Sequence, residues 1–293
     1  MFLTRLFEKN KELNKINVGK YTFEDFFNLW VEQLFERVMR LFVWENTGDI
    51  EPKEIEQILL LNGVCGVTDK YKGVLSVFNG YLCGEPTQYY DEYKAFSVHS
   101  PVYSNILEIG KSVVLIDNTA IRNSIYPLIV RYATMLAHTE LTLVGVMVNL
   151  RECGNIPVAS TNTELESLKA YRKSLFNGEI MPIKDPAFSA VKFIETNSGV
   201  KVNIKDIIET RQNLLDSFYN DIGVKTGYSK KGNMIQEEVE ANDSMLLLNI
   251  SDMLDSRKKG AERVNAMYGT NWSVKLAEGL EINRKGSEEN VQN

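Results

Sequence analysis

The sequence has few of the residues that build disulfide frameworks, metal centres and histidine-based active sites. Its three cysteines, Cys65, Cys83 and Cys153, are widely spaced and form no C-x-x-C pair, which argues against a disulfide framework and against a zinc site. The two histidines, His99 and His138, are too few for a multi-histidine metal site and leave little material for a catalytic triad. No pair of carboxylates has a spacing that favours acid and base roles. The residues therefore predict no enzyme, no metal and no cofactor.

The chain also lacks an excess of basic residues. Its formal net charge is −6 and its isoelectric point is about 5.3, so any contact with DNA is expected to be local or weak. The 293 residues, 44% of them hydrophobic, are enough for one or two folded domains. The N-terminal segment has charges within every short apolar run and no signal-peptide core. We therefore expect a protein made and kept in the cytoplasm, or in a particle assembled there.

One short motif resembles a nucleotide-binding loop but has the wrong context. Gly110, Lys111 and Ser112 match the end of a phosphate-binding loop, yet Asn105 occupies the position that needs the first glycine. Residues 113–117 alternate like a strand, whereas a phosphate loop must open a helix. A catalytic interpretation depends on these three residues alone, and their context argues against it.

The longest apolar segment, residues 125–150, predicts a helix around which the rest of the chain is organised. Its only proline, Pro127, lies in the first turn, and at about 1.5 Å per residue the helix would be about 39 Å long. Two apolar stripes leave a narrow polar sector, which is typical of a helix buried in a large protein, inserted in a membrane or packed between subunits. The polar residues that would be costly in lipid are Arg131, His138, Glu140 and Asn149.

The remaining periodicity predicts an α+β chain. Two more long helices are expected at residues 21–44 and 203–222, both apolar on more than one side. Shorter helices are predicted at residues 52–61, 163–176 and 245–267, and strands at residues 73–78, 81–83, 94–98, 112–117, 180–183, 190–195 and 272–276. A small antiparallel barrel or sheet thus lies between the first two long helices. Because the long helices are too apolar for a monomer, we expect a ring of packed subunits.

Four strings of residues carry a resemblance to a known family. They are LFVWEN at 41–46, AFSVHSPVY at 95–103, EAND at 240–243 and ERVNAMYG at 262–269. In their order and spacing they resemble the upper-collar, or head–tail connector, protein of small short-tailed bacteriophages with protein-primed linear genomes. The resemblance extends over residues 22–277.

The resemblance implies a portal fold, in which three stem helices carry an inserted β-barrel-like wing and an α/β clip and assemble as a ring. The implied regions are an N-terminal arm at 1–21, a stem at 22–45, 121–154 and 203–222, a wing at 46–120, a clip at 155–202, a channel loop at 223–238, a wing or crown at 239–280 and a disordered tail at 281–293.

The implied function is that of a dodecameric channel at one capsid vertex, through which double-stranded DNA is packaged and ejected and which joins head to tail. The protein would have no catalysis of its own and would reside in the virion, at the portal vertex between capsid and tail. The implied partners are further copies of the chain, the DNA, the major capsid protein, a packaging ATPase, a lower collar or tail protein, and possibly a packaging RNA at the N-terminal arm.

By the same resemblance, five lysines match positions that line the family's channel. They are Lys201, Lys205, Lys225, Lys230 and Lys231. A channel that moves DNA should not hold it, because each neutralised phosphate adds salt-dependent affinity. A few lysines in an acidic protein would make weak contacts that do not depend on base sequence. The alternative from another class is a membrane-inserted pore or anchor built on residues 125–150.

Overall fold

The computed structural model describes residues 22–88, 92–151, 155–176, 191–195, 203–224 and 236–278. The helices in these ranges are α1 (Phe23–Met39), α2 (Pro52–Asn62), α3 (Tyr126–Arg151), α4 (Asn162–Phe176), α5 (Ile204–Ile222) and α6 (Gln236–Tyr268). The strands are β1 (Phe42–Glu45), β2 (Val64–Thr68), β3 (Ser76–Phe78), β4 (Gly80–Pro86), β5 (Tyr93–His99), β6 (Ser104–Glu108), β7 (Val114–Asp117), β8 (Asn155–Val158), β9 (Lys192–Glu195) and β10 (Ser273–Leu276).

The chain divides into two compact units. Unit 1 comprises Met1–Glu32 and Tyr132–Leu215, and unit 2 comprises Gln33–Arg131 and Asp216–Asn293. The long helices α1, α3 and α5 each contribute residues to both units.

Helix α1 begins within two residues of the predicted start, after a reciprocal capping pair, but ends earlier than expected. The Asp25 carboxylate accepts a hydrogen bond from the Thr22 N–H at 2.8 Å, and the Thr22 hydroxyl accepts one from the Asp25 N–H at 3.3 Å. The predicted helix over residues 21–44 stops at Met39, so its last residues are a correction. Phe42 and Trp44 are buried and the residue between them is exposed, which is the period of a strand.

The reason for this early end lies more than 220 residues away in the sequence. Strand β1 pairs with β10 in antiparallel register, with Trp44 opposite Val274. The rings of Trp44 and Trp272 meet edge to face at a centroid distance of 6.2 Å. The pairing satisfies backbone groups that a longer α1 would have satisfied within the helix.

The helix predicted at residues 125–150 is confirmed as α3, and those at 52–61, 163–176 and 203–222 are confirmed as α2, α4 and α5 within one or two residues. The Ser124 hydroxyl accepts a hydrogen bond from the Tyr126 N–H at 3.1 Å, which caps α3. The Glu164 carboxylate accepts one from the Ser160 N–H at 2.6 Å at the start of α4, which holds the pKa of Glu164 below its ordinary value.

The β-rich segment of unit 2 is a pair of small sheets and not a barrel. In the described residues one antiparallel sheet has the order β3-β2-β7 and the other the order β4-β5-β6, and neither closes on itself. Strands β2 and β6 were not predicted. The two sheets pack around Phe96, which is fully buried; a Cβ on Gly66 would lie 2.5 Å from its ring, and one on Gly80 would lie 2.7 Å from it. Phe96 thus fills the space between the two sheets, so of the barrel or sheet predicted for this segment the described residues form open sheets.

A fourth pairing lies in unit 1, where β8 and β9 form a two-stranded antiparallel sheet. Asn155 and Pro157, which follow α3 closely in the sequence, belong to β8. Pro157 is tolerated because a strand of a two-stranded sheet always has one unpaired edge. The predicted strand at 190–195 is confirmed as β9, and the one at 180–183 lies outside the described residues.

Helix α6 covers the sheet of β2, β3 and β7 in unit 2. Gly260 allows a close approach, since a Cβ there would lie 2.7 Å from the Ile116 side chain. The Tyr268 hydroxyl donates a hydrogen bond to the Val67 carbonyl at 3.1 Å. The segment predicted to be helical at 245–267 is therefore confirmed, although the helix begins earlier, at Gln236.

Candidate nucleic-acid interface

Lys205 is the one predicted channel lysine within the described residues, and it lies in the first turn of α5. The Asn203 side-chain oxygen accepts a hydrogen bond from the Lys205 N–H at 3.1 Å and so caps the helix. Two residues on, Ile207 is buried, whereas the Lys205 side chain is 76% exposed. The amphipathic pattern of α5 therefore directs this lysine to the surface of unit 1.

The charge around Lys205 is mixed. Its ammonium lies 3.9 Å from the Glu209 carboxylate, one turn further along the exposed face, and Asp206 is the adjacent residue. An exposed pair at this distance contributes about 0–1 kcal/mol. One lysine among two carboxylates makes no basic patch, so this helix start can offer a phosphate only a weak contact.

Contacts in unit 1 connect the three long helices. The Arg211 guanidinium of α5 donates a hydrogen bond to the Glu140 carboxylate of α3 at 3.1 Å, and this pair is partly buried. The Phe23 ring of α1 lies against the His138 ring of α3 at a centroid distance of 4.6 Å. His138 is exposed, and this ring contact is made within the chain.

Each of these helices also exposes a large apolar side chain in unit 1. Leu29 of α1 is 45% exposed, Met147 of α3 is 46% exposed and Ile208 of α5 is 43% exposed. Scattered apolar residues are normal on a protein surface, but here one stands on each of three connected helices. This arrangement is the one that the two-sided apolar pattern of the sequence predicts.

The other four predicted lysines, Lys201, Lys225, Lys230 and Lys231, lie outside the described residues. The structure places only the ends of the predicted channel loop at 223–238. Gly223, with φ of 85°, terminates α5, and the Val224 N–H donates to the Tyr219 carbonyl at 2.8 Å in the manner of a C-terminal glycine cap. The last three residues of the predicted loop belong to α6, which begins at Gln236.

A buried ionic cluster in unit 2 was missed from the sequence. Arg257 of α6 is 0% exposed, and its guanidinium makes a two-pronged ion pair with the Glu56 carboxylate, at 2.8 Å for both contacts. The same guanidinium donates to the backbone carbonyls of Asn118 and Met253 at 3.0 Å and to the Asn118 side-chain oxygen at 2.9 Å. These five bonds use all five N–H groups of an arginine.

Two aromatic residues complete this cluster. The Trp44 indole N–H donates to the Glu56 carboxylate at 2.7 Å, and the Arg257 guanidinium lies 3.9 Å from the centre of the Phe42 ring. The cluster thus joins β1, α2, the segment after β7 and α6. No local pattern could have revealed it, because Arg257 and Glu56 are 201 positions apart.

The motif that resembles a phosphate-binding loop and the two described cysteines both have structural explanations. Gly110, Lys111 and Ser112 form the turn between β6 and β7, in which the Ser112 and Lys111 N–H groups both donate to the Glu108 carbonyl, so no helix follows as a phosphate loop would require. Burial raises the pKa of the Cys65 thiol, which therefore stays protonated and unreactive. Cys83 is also a free thiol.

Within the part of the chain that the structure describes, no group of three or more histidine, cysteine, aspartate or glutamate side chains is placed to hold a metal ion. None of the helices between residues 22 and 278 that the structure describes, α3 included, combines the length and the hydropathy that crossing a membrane requires.

Comparison with known proteins identifies the class of protein. The family model described as Phage Connector (GP10) matches residues 9–281. A chain in the portal and tail of native bacteriophage P68 is similar over 92% of this chain and 91% of its own, with 19% identity and a TM-score of 0.47. A chain in the virion of a native gene transfer agent particle is similar over 91% of this chain and 85% of its own, with 9% identity and a TM-score of 0.40. The family match, which covers nearly the whole sequence, carries the assignment.

The chain is an assembly protein of a phage particle, and it belongs to the Phage Connector (GP10) family. It is a head–tail connector, or portal protein, and its place is in the virion at the portal vertex. The family is structural rather than catalytic. The resemblance inferred from the four short strings is confirmed.

Proposed function

We propose that this connector works as a closed ring of twelve copies, with duplex DNA packaged and ejected through its central channel. The observation that carries the proposal is the exposed apolar residue on each of α1, α3 and α5, namely Leu29, Met147 and Ile208. Apolar surface of this kind favours contact with a second chain, and a repeated head-to-tail contact generates a ring when its rotation closes. In this ring the three helices form the stem.

The proposed regions follow the family resemblance. The two small sheets at residues 46–120 would form the wing, together with a wing or crown part at 239–280. Residues 155–202, with α4 and the β8–β9 sheet, would form the clip. There a separate packaging ATPase would dock and would supply the ATP hydrolysis. The capsid protein and the lower collar or tail protein would contact other faces of the ring.

The proposed DNA contacts are lysines at defined heights of the channel. Lys205 would present its exposed ammonium at the start of α5, and Lys201, Lys225, Lys230 and Lys231 would lie near the start of that helix or in the loop after it. In B-DNA each neutralised phosphate changes the slope of log K against log salt by about −0.9. A few such contacts, diluted by Asp206 and Glu209, guide the duplex without arresting it.

The first prediction concerns assembly. Twelve copies of 33.4 kDa make a particle of about 401 kDa, which mass photometry in plain buffer should detect, with negative-stain images showing a central hole about 20 Å wide. Leu29→Glu and Ile208→Glu should each shift the population towards 33.4 kDa, because a carboxylate buried between subunits loses its hydration.

A matched control tests the same chemistry elsewhere. Val74 is 53% exposed in unit 2, and Val74→Glu should leave the particle at its full mass. A uniform 33.4 kDa monomer of the unaltered protein would overturn the ring. Full-mass rings from both stem variants would show that Leu29 and Ile208 lie outside the subunit contacts.

The second prediction concerns the lysines. The triple variant Lys225→Ala, Lys230→Ala and Lys231→Ala should still form rings and should change the amount of DNA retained or packaged, since only phosphate contacts are lost. Lys205→Ala should change the same quantity of DNA by a smaller amount. The measurements are ring mass and the protected DNA length in assembled particles.

The control is a second triple variant, which removes three lysines that lie outside the proposed channel. Lys70, Lys72 and Lys111 lie in turns of the proposed wing, and replacing all three by alanine should leave DNA retention unchanged. If the channel variant fails to form rings, the loop has a structural role. Equal DNA retention in both triple variants would remove the channel lysines from the proposal.

A further inference from the structure

A cavity of about 500 Å³ lies in unit 2, between the sheet pair and α6. This volume is in the range of small-ligand sites, about 300–1,000 Å³. Leu82, Ile109, Leu115 and Met267 are among the apolar residues that line it. Neither the resemblance nor the connector function assigns any role to this space.

Two arginines stand in the wall of the cavity and share one carboxylate. The Arg122 Nε lies 2.9 Å from Asp117 Oδ1, and an Arg263 terminal nitrogen lies 3.0 Å from Asp117 Oδ2. Both arginines line the cavity, and Asp117 is 13% exposed. These three side chains together carry a net charge of +1, and apolar residues form most of the rest of the wall. A guanidinium offers a planar fork of donors that suits a carboxylate.

The backbone holds Arg122 in a costly conformation that favours this position. Its φ is +56°, in the left-handed region that a residue with a side chain seldom adopts. The Arg122 N–H donates to the Thr119 carbonyl at 3.0 Å, and the Asn118 side chain donates to the Asn123 carbonyl at 2.6 Å. Gly63 packs directly against the Arg122 carbonyl. Strain that the surroundings enforce in this way is common at binding sites.

Glu92 is an opposing group in the same wall. It lines the cavity just before β5, and its carboxylate lowers the local preference for an anion. Removing the Glu92 charge should raise the affinity of the cavity for an anion, whereas removing an arginine should lower it.

We infer that this cavity binds an amphipathic carboxylate, whose acid group lies on Arg122 and Arg263 and whose apolar body lies among the aliphatic side chains. The same chemistry can come from a free aliphatic acid or from an acidic side chain flanked by apolar residues on a protein chain. The inference does not depend on the ring or on the channel lysines, since every residue that it uses lies within unit 2.

The experiment uses the full-length, assembled protein and calorimetric titration with octanoate and with its neutral counterpart octanamide. Octanoate should bind at least tenfold more tightly than octanamide. Arg263→Gln should remove that discrimination, and because Arg263 is half-exposed its replacement should leave the fold intact. Glu92→Gln should tighten octanoate binding severalfold.

A second variant blocks the cavity without altering its charge. Ala266 lines the cavity from an exposed position of α6, so Ala266→Trp should fill the space and abolish binding of both probes. Equal affinity for the two probes, no binding, or octanoate binding that survives both Arg263→Gln and Ala266→Trp would overturn the inference.

A competition experiment with peptides distinguishes the two sources. If acetyl-Leu-Glu-Ile-amide displaces octanoate and acetyl-Leu-Gln-Ile-amide does not, the anion is one that a protein chain can present. If octanoate binds and neither peptide displaces it, the site takes a free acid. Both of these results support the inference, and ring mass measured on the same samples tests the proposed function separately.

Discussion

Replacing Arg257 by methionine should lower the free energy of unfolding by about 3–5 kcal/mol, the usual cost of leaving one member of a buried ion pair alone. Glu56 is 1% exposed, so its carboxylate would keep the Trp44 donor but lose both contacts to the guanidinium. The carbonyl and side-chain oxygen of Asn118 would lose their donors as well. Methionine fills similar space, so the loss reports the ionic and hydrogen-bond contacts more than a cavity.

The measurement is denaturant unfolding at one fixed protein concentration, since assembly also contributes to stability. The matched control is Lys94→Met, which breaks the exposed pair of Lys94 and Glu85 and should have little effect on stability. The double variant Arg257→Met with Glu56→Leu should recover part of the loss, because no buried charge is then left unpaired. If Arg257→Met costs no more than Lys94→Met, the cluster does not hold unit 2 together.

Among glycine-to-alanine changes in unit 2, Gly63→Ala should lower the free energy of unfolding most. Gly63 has φ of +80°, caps α2 through its N–H bond to the Leu59 carbonyl at 2.8 Å, and would place a Cβ only 1.9 Å from the Arg122 carbonyl oxygen. The clash is with backbone, which cannot move without displacing the segment after β7. Left-handed strain and overpacking together predict a loss of about 3–5 kcal/mol.

Gly73→Ala separates these two causes. Gly73 has φ of +72°, and no heavy atom lies within 4 Å of its hypothetical Cβ, so only the backbone strain applies. Its expected cost is about 1–2 kcal/mol, measured by the same unfolding experiment. Similar losses for Gly63→Ala and Gly73→Ala would mean that the segment around Arg122 moves freely, which would also weaken the case for a preorganised cavity.

Sequence reasoning was most successful where the signal is local. The capping pair Thr22 and Asp25, the proline in the first turn of α3 and Gly223 after α5 each act within a few residues of their own helix. The apolar pattern also predicted α3 as a long helix, and Met147 on it is exposed. Such signals do not depend on the rest of the fold.

The prediction was wrong where a distant segment competes. Residues 40–44 have a helical apolar pattern, yet β10 offers Phe42 and Trp44 a paired and buried alternative. The described β segment forms two open sheets and not the barrel-like wing, because Phe96 enters the space that Gly66 and Gly80 leave open. In both cases tertiary packing outweighs a weak local preference.

The candidate site also has a part that the sequence could predict and a part that it could not. Lys205 could be predicted as exposed from the period of α5, and its role as a DNA contact stays a prediction. The Arg257 cluster and the group of Asp117, Arg122 and Arg263 could not be predicted, since their members come from segments up to 201 positions apart. In the sequence, each of these residues looks like an ordinary surface charge. Charged side chains are buried only when partners from several elements converge on them.

The sequence by itself determined the long helices, their caps, their unusually broad apolar faces and, through four ordered strings, the connector family. Those properties follow from near neighbours along the chain or from residue identity. Only the tertiary structure decided where α1 ends, how the two small sheets pack, which arginine is buried with Glu56, and that Arg122 and Arg263 meet at a cavity. The physical reason is that pairing, burial and charge compensation are settled between residues that the chain brings together only when it folds.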